Sequence, residues 1–314
     1  MMRRTAPMAL STALLLTLAA AIPPGGPGAG SARAETAADE RHPIQLVRPK
    51  QVEQEYDLVA SATETIRNRM SGGGQAGTDE TIRRGVELEA GVRITMVDDH
   101  GLPTQMVLRV RKLTVRMNDV ERTPVEEGQT MVASREDGGT VFRVEGSGAL
   151  PAEIGEVLAS VVDLSPPPVS LDDVFGSDRP RRAGESWSID AAAASRMFTQ
   201  MQLNARSRDV EGEVRFPELA EHDGHRCVRL EADMDVSRLS FPPGALPPGM
   251  HVQEATVTQQ IGGAYPLDKT LPPLRENALL AMSLHFEGRM GPDQPEVSIR
   301  TDASRQMKWQ ITPR

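Results

Sequence analysis

Long runs in which apolar and polar residues alternate one by one constrain this chain more than any other feature of its sequence. One run covers residues 86–97, where Val86, Leu88 and Ala90 occupy every second position, and another covers residues 104–117. Successive side chains of a β-strand point to opposite faces of its sheet, so this alternation is typical of strands with one buried and one solvated face. The sequence therefore predicts a mainly β fold.

Similar runs recur along the chain. We predict further strands over residues 53–62, 140–146, 202–216, 225–239, 252–262, 278–288 and 297–311. The turn at residues 98–101 joins the first two runs, since its aspartates and glycine tolerate a positive backbone φ. Breaks in the alternation near Ala90-Gly91 and near Arg111-Lys112 predict a bulge or a bend in each of those strands.

One segment, residues 151–164, has a different period. Ile154, Val157, Leu158 and Val161 follow the i, i+3, i+4, i+7 spacing of one helix face. We expect an amphipathic helix that packs against a sheet. It is either a lid over an apolar cavity or a plug that fills the sheet.

Proline-rich stretches divide the chain into similar parts. We expect residues 35–165 and 184–314 to form two curved antiparallel β-meander or half-barrel units, with the amphipathic helix between their strands. Residues 166–183 form the joint, in which residues 170–175 are expected to add a short capped helical turn. The pattern of residues 191–201 fits either a helix or a loop.

A weak internal similarity links the two units. The hairpin around His100-Gly101 resembles the hairpin around Asp223-Gly224, with alternating residues on both sides. Repeated units produce such similarity, but any two amphipathic hairpins also look alike. A duplicated β unit and two unrelated hairpins therefore remain alternatives.

The first 34 residues have the layout of a cleaved secretory signal peptide. Arg3 and Arg4 form a positive start, residues 8–22 are apolar and uncharged, and an A-x-A site at residues 32–34 precedes Glu35. The apolar run is shorter than the roughly 20 residues of a membrane span. We expect an exported, periplasmic or extracellular protein of the bacterial cell envelope, with Sec and twin-arginine export both open.

The composition limits how the core is built. Aromatic residues make up 3% of the chain, and Cys227 is the only cysteine. A disulfide within the chain is therefore excluded, and aliphatic side chains must supply most of the core. Trp187 and Trp309 lie in alternating stretches and are expected to be buried.

The charge limits the partners. The formal net charge is −9, and the first 34 residues contain three arginines and no acidic residue, so the processed chain is more acidic still. A surface for nucleic acid is not expected, and the basic clusters at residues 109–112 and 179–182 look local. No later segment reaches the length of a membrane span, so an integral membrane protein is not expected. The expected partner is an unknown envelope component or a hydrophobic small molecule.

One cluster has the residue types of a metal site. His222 and His225 flank Asp223-Gly224, and Cys227 follows. Zinc requires three or four converging ligands, whereas Asp-Gly between two strands is typical of an exposed hairpin turn. We therefore predict no metal-binding residue here.

Other catalytic patterns are incomplete. Ser186 lacks the second glycine of a G-x-S-x-G elbow, and the glycine-rich residues 71–77 lack the G-K-[S/T] of a P-loop. The acidic pairs at residues 98–99 and 172–173 are typical of solvated turns and caps. We predict no catalytic residue, no cofactor-binding residue and no cofactor, and hence a protein that is not an enzyme.

Arg179-Pro180, Gly184-Glu185 and Trp187 form an R-P-x-x-x-G-[D/E]-x-W motif. In this motif the chain resembles exported bacterial β-rich proteins, in which a signal peptide precedes a long β-meander that the motif interrupts. That family has no assigned activity, so the resemblance implies no functional residue. The architecture is also somewhat similar to periplasmic lipoprotein carriers, in which a half-open barrel and a helix enclose acyl chains, by analogy of fold alone.

These observations favour an exported, non-enzymatic binding or scaffold module of the cell envelope. The alternatives are a periplasmic carrier of a hydrophobic ligand or lipid, and an envelope hydrolase or metal enzyme. An apolar cavity above about 300 Å³ would favour the carrier. Converging histidine and carboxylate groups in a cleft would favour the enzyme, and a filled interior would favour the module.

The signal peptide gives a first prediction. Because the A-x-A site ends at residue 34, the exported protein should begin at Glu35. N-terminal sequencing of protein isolated from the cell envelope measures this directly. A membrane-bound product that still begins at Met1 would contradict the prediction.

Overall fold

A computed structural model describes residues 40–72, 77–167, 169–242, 244–289 and 295–314. The predicted signal peptide, residues 1–34, lies outside the described residues. The structure is 57% strand and 9% helix. The prediction of a mainly β, antiparallel fold with few helices is therefore confirmed.

The elements follow one another along the chain. They are β1 (Glu55–Gly72), β2 (Thr78–Val97), β3 (Pro103–Met117), β4 (Val120–Arg122), β5 (Thr130–Glu136), β6 (Gly139–Val144), β7 (Gly148–Ala149), α1 (Ala152–Leu158), α2 (Leu171–Phe175), β8 (Ser186–Ser188), α3 (Ala191–Gln200), β9 (Asn204–Ala205), β10 (Val210–Arg215), β11 (Leu219–His222), β12 (His225–Val236), β13 (Leu239–Ser240), β14 (Met250–Pro266), β15 (Arg275–Gly288) and β16 (Val297–Pro313).

Fourteen of these strands form one antiparallel sheet that does not close into a barrel. Its order is β7-β6-β5-β3-β2-β1-β16-β15-β14-β12-β10-β8, with β4 beside β3 and β11 beside β12, while β9 and β13 form a separate pair. The first long strand, β1, pairs with the last, β16, along Tyr56–Gly72. We call this contact the seam, because it makes the two predicted β units halves of one sheet.

One face of the sheet is continuously apolar. Residues that are direct partners on neighbouring antiparallel strands lie on the same face. One row of partners crosses nine strands from β8 to β3, through Trp187, Val214, Ala232, Ile261, Ala278, Met307, Ala62, Val86 and Val115. All of these side chains are buried. We call this side the inner face and the opposite side the outer face.

The chain covers the inner face with its own helices. Ile154, Val157 and Leu158 of α1 pack into a cluster with the inner-face residues of β1, β2 and β3. The other half of the face packs against α2 and α3, which contribute Phe175 and Phe198 among others. The apolar stripe predicted in the sequence is therefore buried against the sheet.

The helix that carries this stripe is shorter than predicted. The helical spacing suggested residues 151–164, but α1 ends at Leu158. Beyond it, the Ser160 hydroxyl donates to the Val157 carbonyl at 2.6 Å, and both Val161 and Val162 donate backbone hydrogen bonds to Leu158. The chain thus continues in turns, which still bury Val161 at 4% exposure.

Two other local predictions need correction. Residues 202–216 are not one strand but the short β9 at Asn204–Ala205 and β10 at Val210–Arg215, and the ambiguous residues 191–201 contain α3. The helix begins where it does because the Asp190 carboxylate accepts backbone hydrogen bonds from Ala192 and Ala193, both at 2.8 Å. Strand β5 was not predicted at all.

The predicted bulge lies in β3 at Arg111. Glu89 pairs with Lys112 and Ala90 pairs with Val110, so Arg111 has no direct partner on β2. Near Ala90-Gly91 β2 keeps its alternation, so the register shift between Glu89 and Ala90 comes from the extra residue of β3 and not from a bulge in β2. This slip follows from the change of phase within β3, and two more register shifts lie toward the hairpin end, between Ile94 and Met96 and between Met96 and Val97.

The packing of α1 gives a stability prediction. Leu158 is fully buried, so Leu158→Ala should lower the free energy of unfolding by about 2–5 kcal/mol. Thermal and urea unfolding of the purified protein measure the loss. The control is Glu156→Ala, which removes an exposed side chain from the same helix and should cost about 1 kcal/mol or less. Equal, negligible effects from both substitutions would mean that α1 is a solvated linker.

Candidate functional site

A buried ion pair lies in the inner face at the seam. Glu64 of β1 and Arg305 of β16 are direct cross-strand partners, and Arg305 Nε and Nη2 donate to Glu64 Oε1 at 3.1 and 2.5 Å. Their side chains are only 9% and 4% exposed. Burying two charges is costly unless they pair closely, which these do.

This ion pair extends to α1. Arg84 Nη1 lies 3.9 Å from Glu64 Oε2 and 3.6 Å from Glu156 Oε2, so the guanidinium bridges the sheet and the helix. A void of about 10 Å³ lies among these side chains and Ser160. That volume suits about one water molecule.

A second polar cluster lies further along the inner face. Burial raises the pKa of the half-buried Glu276 carboxyl to about 7, and the nearby Lys50 ammonium opposes this shift. Burial lowers the pKa of Lys50 to about 8. Tyr265 lies beside Glu276, and burial raises its pKa well above the ordinary value. The two opposite charges thus stabilise each other in a poorly solvated place.

One residue of the acidic pair at residues 172–173, Asp172, has a structural role. Asp172 accepts backbone hydrogen bonds from Leu46 at 2.5 Å and from Val47 at 3.3 Å, and burial raises its pKa. It was predicted to be solvated. Instead it fixes the segment before β1 against α2, and the same segment buries Arg48, whose Nη2 donates to the Pro266 carbonyl at 3.0 Å.

The motif at residues 179–187 is a packed junction. Trp187 Nε1 donates to the Gly176 carbonyl at 2.9 Å, and the Arg181 guanidinium stacks 4.7 Å from the Trp187 ring centre. The backbone of Arg181 also pairs with that of His42. The motif therefore ties the segment before β1 to β8, and the family resemblance that it suggests stays a prediction.

The histidine and cysteine cluster lies at a hairpin. His222 of β11 and His225 of β12 are cross-strand partners, and Asp223 and Gly224 between them have φ values of 50° and 79°. Cys227 is buried, and burial raises its pKa to about 11. Across the residues that the structure describes, no three histidine, cysteine, aspartate or glutamate side chains converge as a metal site would require.

The remaining candidates lie in turns and strands. The Ser186 hydroxyl donates to Glu213 Oε1 at 2.7 Å. Asp98 accepts backbone hydrogen bonds from His100 at 3.0 Å and from Leu102 at 2.9 Å, which stabilises the turn. The glycine-rich stretch connects β1 to β2, and residues 73–76 of it lie outside the described residues.

Known proteins give little guidance. No protein-family model and no curated protein sequence matches the chain. Solved structures with similarity include a lipovitellin described for its lipid–protein interactions (9% identity, TM-score 0.30), of which the match spans 25%, against 83% of this chain. An outer membrane channel from Pseudomonas putida F1 has 8% identity and a TM-score of 0.20, with 84% of this chain and 97% of that chain covered. A LolA superfamily protein from Nitrosomonas europaea has 8% identity and a TM-score of 0.14, with coverages of 85% and 89%.

Similarities at this level carry no argument about function. The helices provide one separate fact: in the described part of the chain, none has both the length and the hydropathy of a membrane span.

The raised pKa of Glu276 predicts a pH dependence. The ordinary pKa is 4.5 and the folded value about 7. Below pH 4.5 the Glu276 carboxyl is protonated in both the folded and the unfolded protein. Between pH 4.5 and about 7 the unfolded protein releases this proton first, so the free energy of unfolding of the wild type falls as pH rises. Relative to wild type, Glu276→Gln should therefore gain up to about 3 kcal/mol in free energy of unfolding between these pH values.

Urea unfolding at a series of pH values measures this difference. Lys50 does not change the sign of this effect, because its lowered pKa of about 8 lies above the pH window and its ammonium stays charged throughout it. Glu211→Gln, an exposed glutamate of β10, is the matched control and should follow wild type. A Glu276→Gln profile that runs parallel to wild type would contradict the prediction.

Proposed function

We propose that the protein is an exported, non-enzymatic module of the bacterial cell envelope that acts by binding or as a scaffold. The observation that carries the proposal is the filled inner face. Helices of the same chain cover both of its halves, and Leu88, Leu108 and Leu158 are fully buried there.

The small volume of the void beneath α1 favours the module over a carrier. The void between α1 and the sheet measures about 10 Å³, whereas sites for small apolar ligands begin at about 300 Å³. An acyl chain does not fit into such a void. The inner face therefore serves as the core, and the outer face remains as the surface on which a rigid sheet meets its partner.

The proposed location outside the cytoplasm rests on the sequence. The layout of the first 34 residues is that of a signal peptide. Protein stability without disulfides also agrees with a core that extends over most of a large sheet. The module would thus work in the periplasm or outside the cell.

A carrier of a hydrophobic ligand or lipid is the second candidate. The observation that favours it is the small size of the cover: α1 has only seven residues. Beyond its apolar stripe, α1 and the turn after it are held by the contact of Glu156 with Arg84 and by the hydrogen bond from Trp309 Nε1 to the Val161 carbonyl at 2.7 Å. Displacement of α1 would uncover apolar residues of β1, β2 and β3 together.

Native mass spectrometry separates the two candidates. The protein is purified without detergent from the envelope of an expressing bacterium, and its mass is measured under non-denaturing conditions. The module predicts the bare mass of the processed chain. A stoichiometric adduct of phospholipid mass would overturn the module in favour of the carrier, above all if Leu158→Ala removed the adduct and Glu211→Gln, at an exposed residue of β10, kept it.

A further inference from the structure

An open groove with a volume of about 490 Å³ lies on the outer face of the sheet. Its floor is a row of cross-strand partners, in which Gly91 of β2 pairs with Arg109 of β3 and Arg109 pairs with Thr130 of β5. These residues face outward because Val92 and Leu108, their neighbours along the strands, are buried in the inner face. The volume lies within the range of small-molecule sites, about 300–1,000 Å³.

Four guanidinium groups border this groove. They belong to Arg93, Arg109, Arg111 and Arg314, and Glu55 is the acidic residue among the lining residues that the structure describes. The chain as a whole has a formal net charge of −9. Asp57 pairs with Arg111 and Arg314, and Glu53 lies 3.4 Å from Arg93. With Glu55, three carboxylates therefore face four guanidinium groups, and the positive charge left over on this acidic protein belongs to Arg109 and favours an anion.

Two local departures from regular strand structure shape the groove. Gly91 leaves the floor without a side chain, and a Cβ there would lie 3.0 Å from Arg314 Nη2. The bulge in β3 lets Arg111 Nη1 donate to Asp57 Oδ1 at 2.5 Å, and Arg314 Nη2 donates to the same oxygen at 2.6 Å. Hydrogen bonds from Arg314 and Arg111 lower the pKa of Asp57, so this carboxylate stays charged and holds both guanidinium groups.

Arg109 differs from these two arginines. Its side chain is exposed, and within the described part of the chain no hydrogen bond or ion pair holds it. A guanidinium presents five donors in a planar fork, which matches two oxygens of a carboxylate or a phosphate. Arg109 thus offers a free fork in the groove, on the same face as its cross-strand partner Thr130.

We propose that this arginine groove binds an oxyanionic group, a phosphate or a carboxylate, with Arg109 as the fork that contacts it and Arg93 and Arg314 at its sides. A soluble small molecule or the headgroup of an anionic phospholipid presents this chemistry. The inference rests on the proposed function in placing ligand binding on the outer face. Its residues are separate from those of the inner face, so a failure here leaves the mass-spectrometric result on lipid unaffected.

Titration calorimetry of the purified protein at low ionic strength tests the proposal with pyrophosphate and with citrate. A flotation assay with vesicles of phosphatidylglycerol, compared with phosphatidylcholine, tests the headgroup. Arg109→Gln should weaken binding roughly tenfold or more, because it removes hydrogen bonds to a charged group. Arg109→Lys should recover only part of the affinity, since a lysine keeps the charge without the fork.

Arg116→Gln is the matched control. Arg116 lies on the outer face of the same strand, outside the groove, where it pairs with Glu87 at 2.7 Å and Glu121 at 2.8 Å. Gly91→Val is a second test: it fills the floor without a change of charge and displaces the Arg314 guanidinium, since a Cβ there would lie 3.0 Å from Arg314 Nη2, and it should also weaken binding. Melting temperatures establish that each variant is folded.

Saturable binding of pyrophosphate or citrate that Arg109→Gln weakens and Arg116→Gln preserves supports a soluble ligand. The same pattern seen only with phosphatidylglycerol vesicles supports a lipid headgroup. The proposal is overturned if no probe binds, or if Arg109→Gln and Arg116→Gln weaken binding equally, because the effect is then one of general charge.

Discussion

The pairing of β1 with β16 is the contact on which the rest of the structure depends. It joins the first long strand to the last along Tyr56–Gly72, and so merges two strand groups into one sheet with one inner face. Without it, each half would expose an edge of long, regular strand to other chains. As the sheet stands, its two ends are β7 and β8, of two and three residues.

Polar pairs along the seam specify its register. On the inner face Glu64 meets Arg305, and the Thr301 hydroxyl donates to Asn68 Oδ1 at 2.9 Å. A slip by two residues would place Glu64 opposite Ala303 or Met307 and leave a buried charge without its partner, which costs about 3–5 kcal/mol. The ion pair adds little net stability over apolar side chains, but it penalises the wrong registers of an otherwise repetitive apolar pattern.

Local sequence patterns predicted the parts of this fold that depend on neighbouring residues. The alternation located most long strands, the change of phase located the bulge at Arg111, and the helical period located the stripe around Leu158. The seam could not be predicted, because Glu64 and Arg305 lie 241 residues apart and alternation says nothing about which strands pair. The length of α1 was overestimated because the apolar spacing reports burial and not the helix itself. The turns beyond Leu158 bury Val161 just as effectively as a helix would.

The arginine groove could not be predicted from local sequence patterns either, because its residues are distant in the sequence. In sequence, residues 109–112 are a short basic cluster on one strand, and nothing there points to Gly91, Arg93 or Arg314. The sheet brings these residues together, because β2 lies between β1 and β3 and the last residue of the chain folds back over Gly91. The continuity of the sheet thus produces two faces with different chemistry. The apolar rows of the inner face are buried against the helices. On the outer face, Gly91 and the bulge at Arg111 leave room beside the Arg109 guanidinium, which has no partner among the described residues. A binding function on the outer face then requires no opening of the core.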